Sequence, residues 1–448
     1  MSRATAIRAV VGLAGALGGV AAYQAMATTA TGSGAFFLTL AAAAAAYAAI
    51  VFSLCVGARP SLPVVAVALG LACAARVPLL NAQIGDKSDV YRYLWDARVV
   101  RAGLNPYTVT PDAPALARLH TPDTRRMNNP SVPSPYPPTA QLLFALVTMV
   151  TDSPQGFRWA LAACDVATWG VLLMWLRSTG RASAWLLAYA WHPLVIVEIA
   201  REGHLDVAGV LLVVGAAVAV ARAAIVTATV LLVLAAAFKF LPVVLAPLLL
   251  ARARLRHALL AVVLLVALYL PFVQGGVVPV GSVADMIRRF RFNSPLFDLL
   301  EQVASAWVLS GVAVAAGLLT AWLLQRRLGP TDPAAWAWPL AVTLLLSPMI
   351  YPWYLVWLLP FLATRATMPL AIWSLSVCAT YVVWAGARDG AMWRVPNWAL
   401  WIEYGAFALA CVWAMGRRPA ATAPAFAAAP SSWAAHGHDR ADVTDDAP

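Results

Sequence analysis

Charge is scarce in this chain. Of 448 residues only 11% are Asp, Glu, Lys or Arg, against 62% hydrophobic residues. A mean hydropathy of +0.76 excludes a soluble globular protein. Cysteine is rare too. The five (Cys55, Cys73, Cys164, Cys378, Cys411) all lie in apolar stretches without a CxxC spacing, which excludes a disulfide framework and a cysteine zinc site. The chain also has no P-loop, no HExxH and no GxGxxG in a strand-to-helix context. Between its apolar runs there is no segment long enough for a nucleotide-binding α/β domain. Any substrate must therefore come to a membrane surface. Acidic residues are fewer than basic ones, and the formal charge is +11. In a chain this apolar the excess is explained by arginines at cytoplasmic helix ends, and no nucleic-acid partner is expected.

What is present is a series of apolar runs of the length that crosses about 30 Å of hydrocarbon. The expected fold is all-α, a polytopic transmembrane helical bundle of about 13 spans plus short broken helices. The runs fall at roughly 6–26, 34–56, 61–80, 158–176, 184–199, 205–221, 224–238, 257–273, 300–324, 334–347, 352–363, 367–385 and 399–415, with a shorter piece at 241–251. Residues 1–30 imitate a signal peptide, but the apolar run is longer than a usual h-region and is read as a retained first helix. Arg3, Arg8, Arg59, Arg177, Arg181, Arg222, Arg252, Arg254, Arg256, Arg326, Arg327, Arg365, Arg417 and Arg418 all become cytoplasmic if 138–150 does not cross. Those 13 residues reach only about 20 Å as a helix, and Pro137–Pro138 suit a helix start. The expected division is 1–80 for the first transmembrane helices, 81–157 for a long extracytoplasmic loop, 158–415 for a transmembrane core and 416–448 for a disordered cytoplasmic tail. His436 and His438 fall in that tail, which reads as solvated.

The loop opens with GDKSDVYRYLWDARVVRAGLNPY (85–107), unusually polar for this chain. Ser88 suits a helix N-cap with Asp89 in the first turn. Val90, Tyr93, Leu94, Ala97, Val100 and Leu104 share an apolar face, and Arg92 and Asp96 pair at i, i+4. Gly103 supplies the stop and Asn105–Pro106 a turn. The pattern predicts an amphipathic helix lying on the outer leaflet, holding Asp86 and Asp89 where the bilayer surface meets a cavity. A carboxylate there can accept a proton from a hydroxyl nucleophile; the plainer alternative is that Asp89 only complements the helix dipole.

SDVYRYLWDARVVRAGLNPY, PSPYPPTAQLLF, REGHLD, AFKFLPVVLAPLLL and SPMIYPWYLVWLLPF occur in that order. Together they resemble the bacterial polytopic glycosyltransferases of the GT-C superfamily, in particular the GT87 (DUF2029) group related to polyprenyl-phosphate-mannose-dependent mannosyltransferases. The resemblance covers most of residues 80–365. It implies two juxtamembrane helices in the first outer loop, here 89–103 and 138–150, and a catalytic aspartate near the loop's start. That base falls on Asp89, with Asp86 the alternative. Some relatives carry a second acidic residue directly after the first, where this chain has Val90. The implied activity is inverting transfer of a hexose, mannose by analogy, from a polyprenyl-phosphate sugar to an extracytoplasmic glycan or glycolipid. No cofactor is required, a divalent cation is compatible, and no metal-ligand set is expected.

Other polar stretches fall on the same expected face, among membrane lipids. REGHLD places Arg201, Glu202, His204 and Asp206 between two spans, where charge is costly unless it lines a cavity; sugar recognition and support of the base compete there with an ordinary polar loop. Lys239 interrupts an apolar run just before Pro242, which should break the helix. A point charge there suits a lipid-linked phosphate, with a snorkelling structural lysine as the alternative. Arg288, Arg289 and Arg291 in RRFRFNS ask for an anionic partner, a donor phosphate or a lipid headgroup. Tyr136, Tyr351, Trp353 and Tyr354 are candidates for stacking on a sugar face or for an interfacial belt. The competing class is a carrier of lipid-linked solutes that performs no chemistry; broken helices and intramembrane charges suit it equally, but it needs a path to both faces. A third reading is a degenerate family member that acts as an assembly partner and does not depend on Asp89.

Overall fold

The structure is a computed structural model in which residues 2–274, 279–390 and 392–416 are described. The expected tail lies, from residue 417 onward and with His436 and His438, outside the described residues. No strand forms among the described residues; Phe292 and Met349 make one isolated parallel bridge. Among the described residues eight helices are long and apolar enough to cross a membrane, or nine if the bent pair Ser183–Ala190 and Pro193–Arg201, at 52°, is one span. The protein is an all-helical multi-pass membrane bundle, as expected. The hydropathy runs overstate its long spans. Four runs counted as spans form the shorter helices Asp206–Ala221, Ile225–Ala236, Pro333–Leu345 and Pro352–Phe361. The last of these and Leu241–Leu249 are wound as 3-10 helix, and each contains prolines that cannot supply the α-helical donor.

The first elements are α1 (Arg3–Met26), α2 (Gly34–Ile50), α3 (Leu62–Leu80), α4 (Asp89–Arg101), α5 (Pro138–Thr148) and α6 (Pro154–Ser178). Helix α1 contributes Tyr23 and Met26 to the main core. Two buried arginines tie the bundle together. Arg76 of α3 meets Asp165 of α6 at 2.8 Å and donates to the Ala190 carbonyl at the bend of the broken pair. Arg158, at the start of α6, donates to the carbonyls of Leu79, Leu80, Ala82 and Arg201. Each arginine gathers several elements through carbonyls that their helix ends leave free.

Helix α4 starts and stops as the sequence predicts. The Ser88 hydroxyl accepts from the Val90 N–H, and Gly103 sits at φ +73°. Its predicted surface position is wrong. Tyr91, Arg92, Trp95, Asp96 and Val99 are buried along with the apolar face. Residues 104–127 fold back over the helix, and Leu104, Val109, Leu116, Leu119 and Met127 pack on Tyr91, Trp95 and Val99 in a second core. An aromatic-rich polar face of this kind binds protein where a bare amphipathic helix would face headgroups. The Arg92–Asp96 pair, at 2.9 Å, is consequently buried, and Asp96 also accepts from Ser134 and Gln141. Helix α5 begins at Pro138 and, at 11 residues, is too short to span. Leu142, Leu146, Met149 and Val150 stay exposed along and just beyond it, suiting a helix that lies in the interface.

The turns joining these helices collect at one end of the bundle. Thr31, between α1 and α2, donates to Glu202; Asn105 donates to the Phe272 carbonyl; the Thr139 N–H donates to the Ala237 carbonyl.

Candidate active site

The site forms where the start of α4 meets the turn between Arg201 and Asp206. Gly203 makes that contact possible. It sits at φ +75°, and a Cβ there would lie 2.6 Å from Val90 and 2.9 Å from Arg158. Only glycine fits both the backbone conformation and the space. With the backbones this close, the carboxylate of Asp89 and the imidazole of His204 face each other, Oδ2 to Nε2 at 3.9 Å. Asn128 of the folded-over loop donates to Asp89 Oδ1 at 2.7 Å. The Asp89 side chain keeps 21% of its surface exposed, so it is both held and reachable. Asp86 is placed differently. It is 77% exposed and pairs with Arg126 at 2.7 Å.

His204 is fixed from three sides. Glu198, fully buried, accepts from Nδ1 at 2.6 Å, and Tyr381 donates to the other Glu198 oxygen. Trp353 stacks on the imidazole at 3.8 Å and 12°. Burial alone would disfavour the imidazolium. The Glu198 carboxylate, with Asp89 and Asp206 behind it, outweighs that and raises the His204 pKa above its usual value. Two residues on, Asp206 accepts from Lys239 at 2.6 Å and from the Trp357 indole at 2.5 Å. Its other oxygen is buried without a partner. The Lys239 ammonium lies 4.0 Å above the ring of Tyr354. Helix Ile225–Ala236 ends just before Lys239, the break that the sequence predicts.

Asp89, His204, Asp206, Lys239, Trp353 and Tyr354 therefore converge. Adjacent residues of one segment serve the two halves: Trp353 lies on His204 and Tyr354 under Lys239. Tyr136 stands behind them, edge-on to Tyr93 and Phe144 at 5.3 and 5.4 Å. Glu202 points elsewhere, accepting from Thr31 and Arg201, while Arg201 also binds the carbonyls of Met26 and Thr29. That half of REGHLD anchors the α1–α2 turn. The arginines of RRFRFNS are engaged locally. Arg291 grips Glu301 at 2.5 and 2.9 Å and holds that carboxyl below its usual pKa; Arg289 meets Asp285 at 3.5 Å; Arg288 lies over Trp307. Tyr351 links that loop to the site through rings, stacked on Trp353 at 4.4 Å and on Phe292 at 4.3 Å.

Packing beside Asp206 is dense. Helix Asp206–Ala221 passes so near Trp357 that a Cβ at Gly209 would lie 2.1 Å from the indole and 2.9 Å from Phe238. Below it Val210, Val213, Val214 and Ala217 are buried in the main core.

Glu198, Asn128, Trp357 and Tyr381 were not singled out in the sequence. Glu198 had a readable signal, because it is the lone acidic residue in the apolar run LLAYAWHPLVIVEIA (186–200). The other three have none, since their roles depend on which distant groups they meet.

The family model for glycosyltransferase family 87 matches residues 135–284, about a third of the chain. The matched stretch holds Tyr136, Glu198, REGHLD and Lys239. No curated protein and no solved structure matches the chain. The matched segment, at the centre of a multi-pass helical bundle, makes the chain similar over that third to glycosyltransferase family 87 and supports its reading as a membrane glycosyltransferase of the GT-C kind.

Proposed function

We propose that the protein transfers a hexose, mannose by family analogy, from a polyprenyl-phosphate donor to a glycan or glycolipid acceptor, with inversion at the anomeric carbon. The reaction takes place at the extracytoplasmic face of the cell membrane. Asp89 is the general base. It takes the proton of the acceptor hydroxyl as that oxygen bonds to the anomeric carbon and the bond from carbon to phosphate oxygen breaks. The electron pair leaves with the lipid phosphate. His204, its Nδ1–H held by Glu198, presents Nε2 to Asp89 and in its neutral form can receive the proton in turn. Lys239 faces the developing phosphate charge, oriented by Asp206; Arg288, Arg289 and Arg291, already engaged by Trp307, Asp285 and Glu301, add no more than a minor hold on the lipid headgroup further out. Tyr136 and Tyr354 offer apolar surface to the sugars, Tyr351 and Trp353 the edges of their stacked rings, and Glu202 braces the turn. The scheme requires no cofactor, and a divalent cation is compatible with it.

The observation that carries this reading is the convergence of Asp89 and Lys239, 150 residues apart in sequence, on the two ends of the three-residue stretch His204–Asp206. A carrier needs a path to both faces, and the dense packing at Gly209 and Trp357 argues for chemistry instead. The test is transfer of labelled mannose from polyprenyl-phosphate mannose by the purified protein in nanodiscs. Asp89→Asn should lower turnover by about 10²–10⁴-fold, and Lys239→Ala by about tenfold or more. Wild-type rates in both variants would overturn the assignment.

A further inference from the structure

The stack of rings that leaves His204 ends at a second cavity. His204, Trp353, Tyr351 and Phe292 lie face to face in sequence, each centroid 3.8–4.4 Å from the next and no pair tilted by more than 18°. Beyond Phe292 is an open cavity of about 630 Å³ between the RFNS stretch and the start of helix Asn397–Gly416, within the size range of ligand sites. Phe292, Asn293, Trp393 and Asn397 line it, with Arg291 and Arg394 at its edge.

Its inner wall is built rather than incidental. Asn293 is 95% buried at φ +55°, and its amide donates to Glu403 at 3.0 Å and to the Ile350 carbonyl at 3.2 Å. Tyr404 donates to its backbone carbonyl at 2.7 Å, and the amide oxygen is buried without a partner. Phe292 is clipped in place by backbone bonds to Pro348 and Ile350. The opposite wall is open, for Trp393 keeps 44% of its surface exposed while its ring packs near Phe292 and Trp384.

The charge balance says what fits. Arg291 is already neutralised by Glu301, and the other two charged residues of the lining, Arg394 and Asp298, are opposite in sign. A phosphate would find no net positive field here. The exposed indole of Trp393 beside the exposed amide of Asn397 instead matches the two surfaces of a sugar, its apolar C–H face and its ring of hydroxyls.

We propose that this cavity holds the neutral saccharide portion of the acceptor, with the ring stack as the apolar wall along which it reaches Asp89. The inference rests on the transferase reading, but binding tests it without turnover. The full chain in nanodiscs is probed with methyl glycosides and tri- to tetrasaccharides of manno, gluco, galacto and arabino configuration, read by saturation-transfer NMR. At least one neutral saccharide should bind. Trp393→Ala and Asn397→Ala should each weaken it tenfold or more, while Trp401→Ala, on the exposed face of the same helix, leaves it unchanged. No saccharide bound to the wild type, equal binding in Trp393→Ala and Asn397→Ala, or loss of undecaprenyl phosphate binding in their place would each overturn the proposal. Saccharide binding lost in Trp393→Ala while Asp89→Asn still turns over would leave the site standing and remove the catalytic assignment alone.

Discussion

Two stretches on one face of the bundle, REGHLD and RRFRFNS, carry similar densities of charge and use them in opposite ways. In the first, His204 and Asp206 are buried and coupled to groups from other parts of the chain, namely Glu198, Asp89, Lys239 and Trp357. In the second, Arg291 and Arg289 are satisfied within about ten residues by Glu301 and Asp285. Charge density alone therefore does not mark a reacting site. A long-range, desolvated partner does, because burial strengthens an interaction that solvent would otherwise screen.

The sharpest way to break this contrast is to remove the buried carboxylate behind the histidine. Glu198→Gln should reduce transfer by about 10²-fold, by analogy with other carboxylates that orient a catalytic imidazole, and it should change a pH profile as well. The folded-state pKa of His204 is raised, so the stability it lends is complete below the unfolded value of about 6.5. That contribution is lost as pH rises through the higher folded value. Thermal melting across this range should show the decline in the wild type and show it at lower pH in Glu198→Gln. An unchanged profile would mean that Glu198 does not govern the histidine.

Gly203→Ala tests the backbone contact that brings the two halves together. A Cβ there meets Val90 and Arg158 in a left-handed conformation, which should cost about 1–3 kcal/mol and lower activity by moving His204 from Asp89. Denaturation in mild detergent, read alongside turnover, separates the two effects. The smallest changes belong to the solvent-facing pairs. Asp86→Asn and Arg291→Gln should each alter stability by no more than about 1 kcal/mol and transfer by less than about threefold. If Asp86→Asn instead abolished transfer, the base would be the exposed aspartate and the contrast would fail.

Some of the site was legible in the residues. Lys239 followed by Pro242 announced a broken helix, and a helix does end there. Ser88 announced the start of α4, and Gly103 its stop. The aspartate pair Asp86 and Asp89 was visible, yet only folding separates them, since a three-residue offset leaves one on a surface loop and the other in a helical first turn facing His204. The surface position read for α4 failed for a related reason. Periodicity reports which face is apolar, but it cannot say that 104–127 will return to cover the other. Four of the expected spans form helices shorter than the usual crossing length, because hydropathy counts apolar residues and not the extent of the helix they form.

Composition alone determined the solvent of this protein. A chain with so little charge must surrender its helices to a bilayer. Tertiary structure decided the chemistry. Charge pairing depends on distance and burial, which Asp89 and His204 acquire only where α4 closes on Gly203, and Asp206 and Lys239 only where two segments distant in sequence pack together.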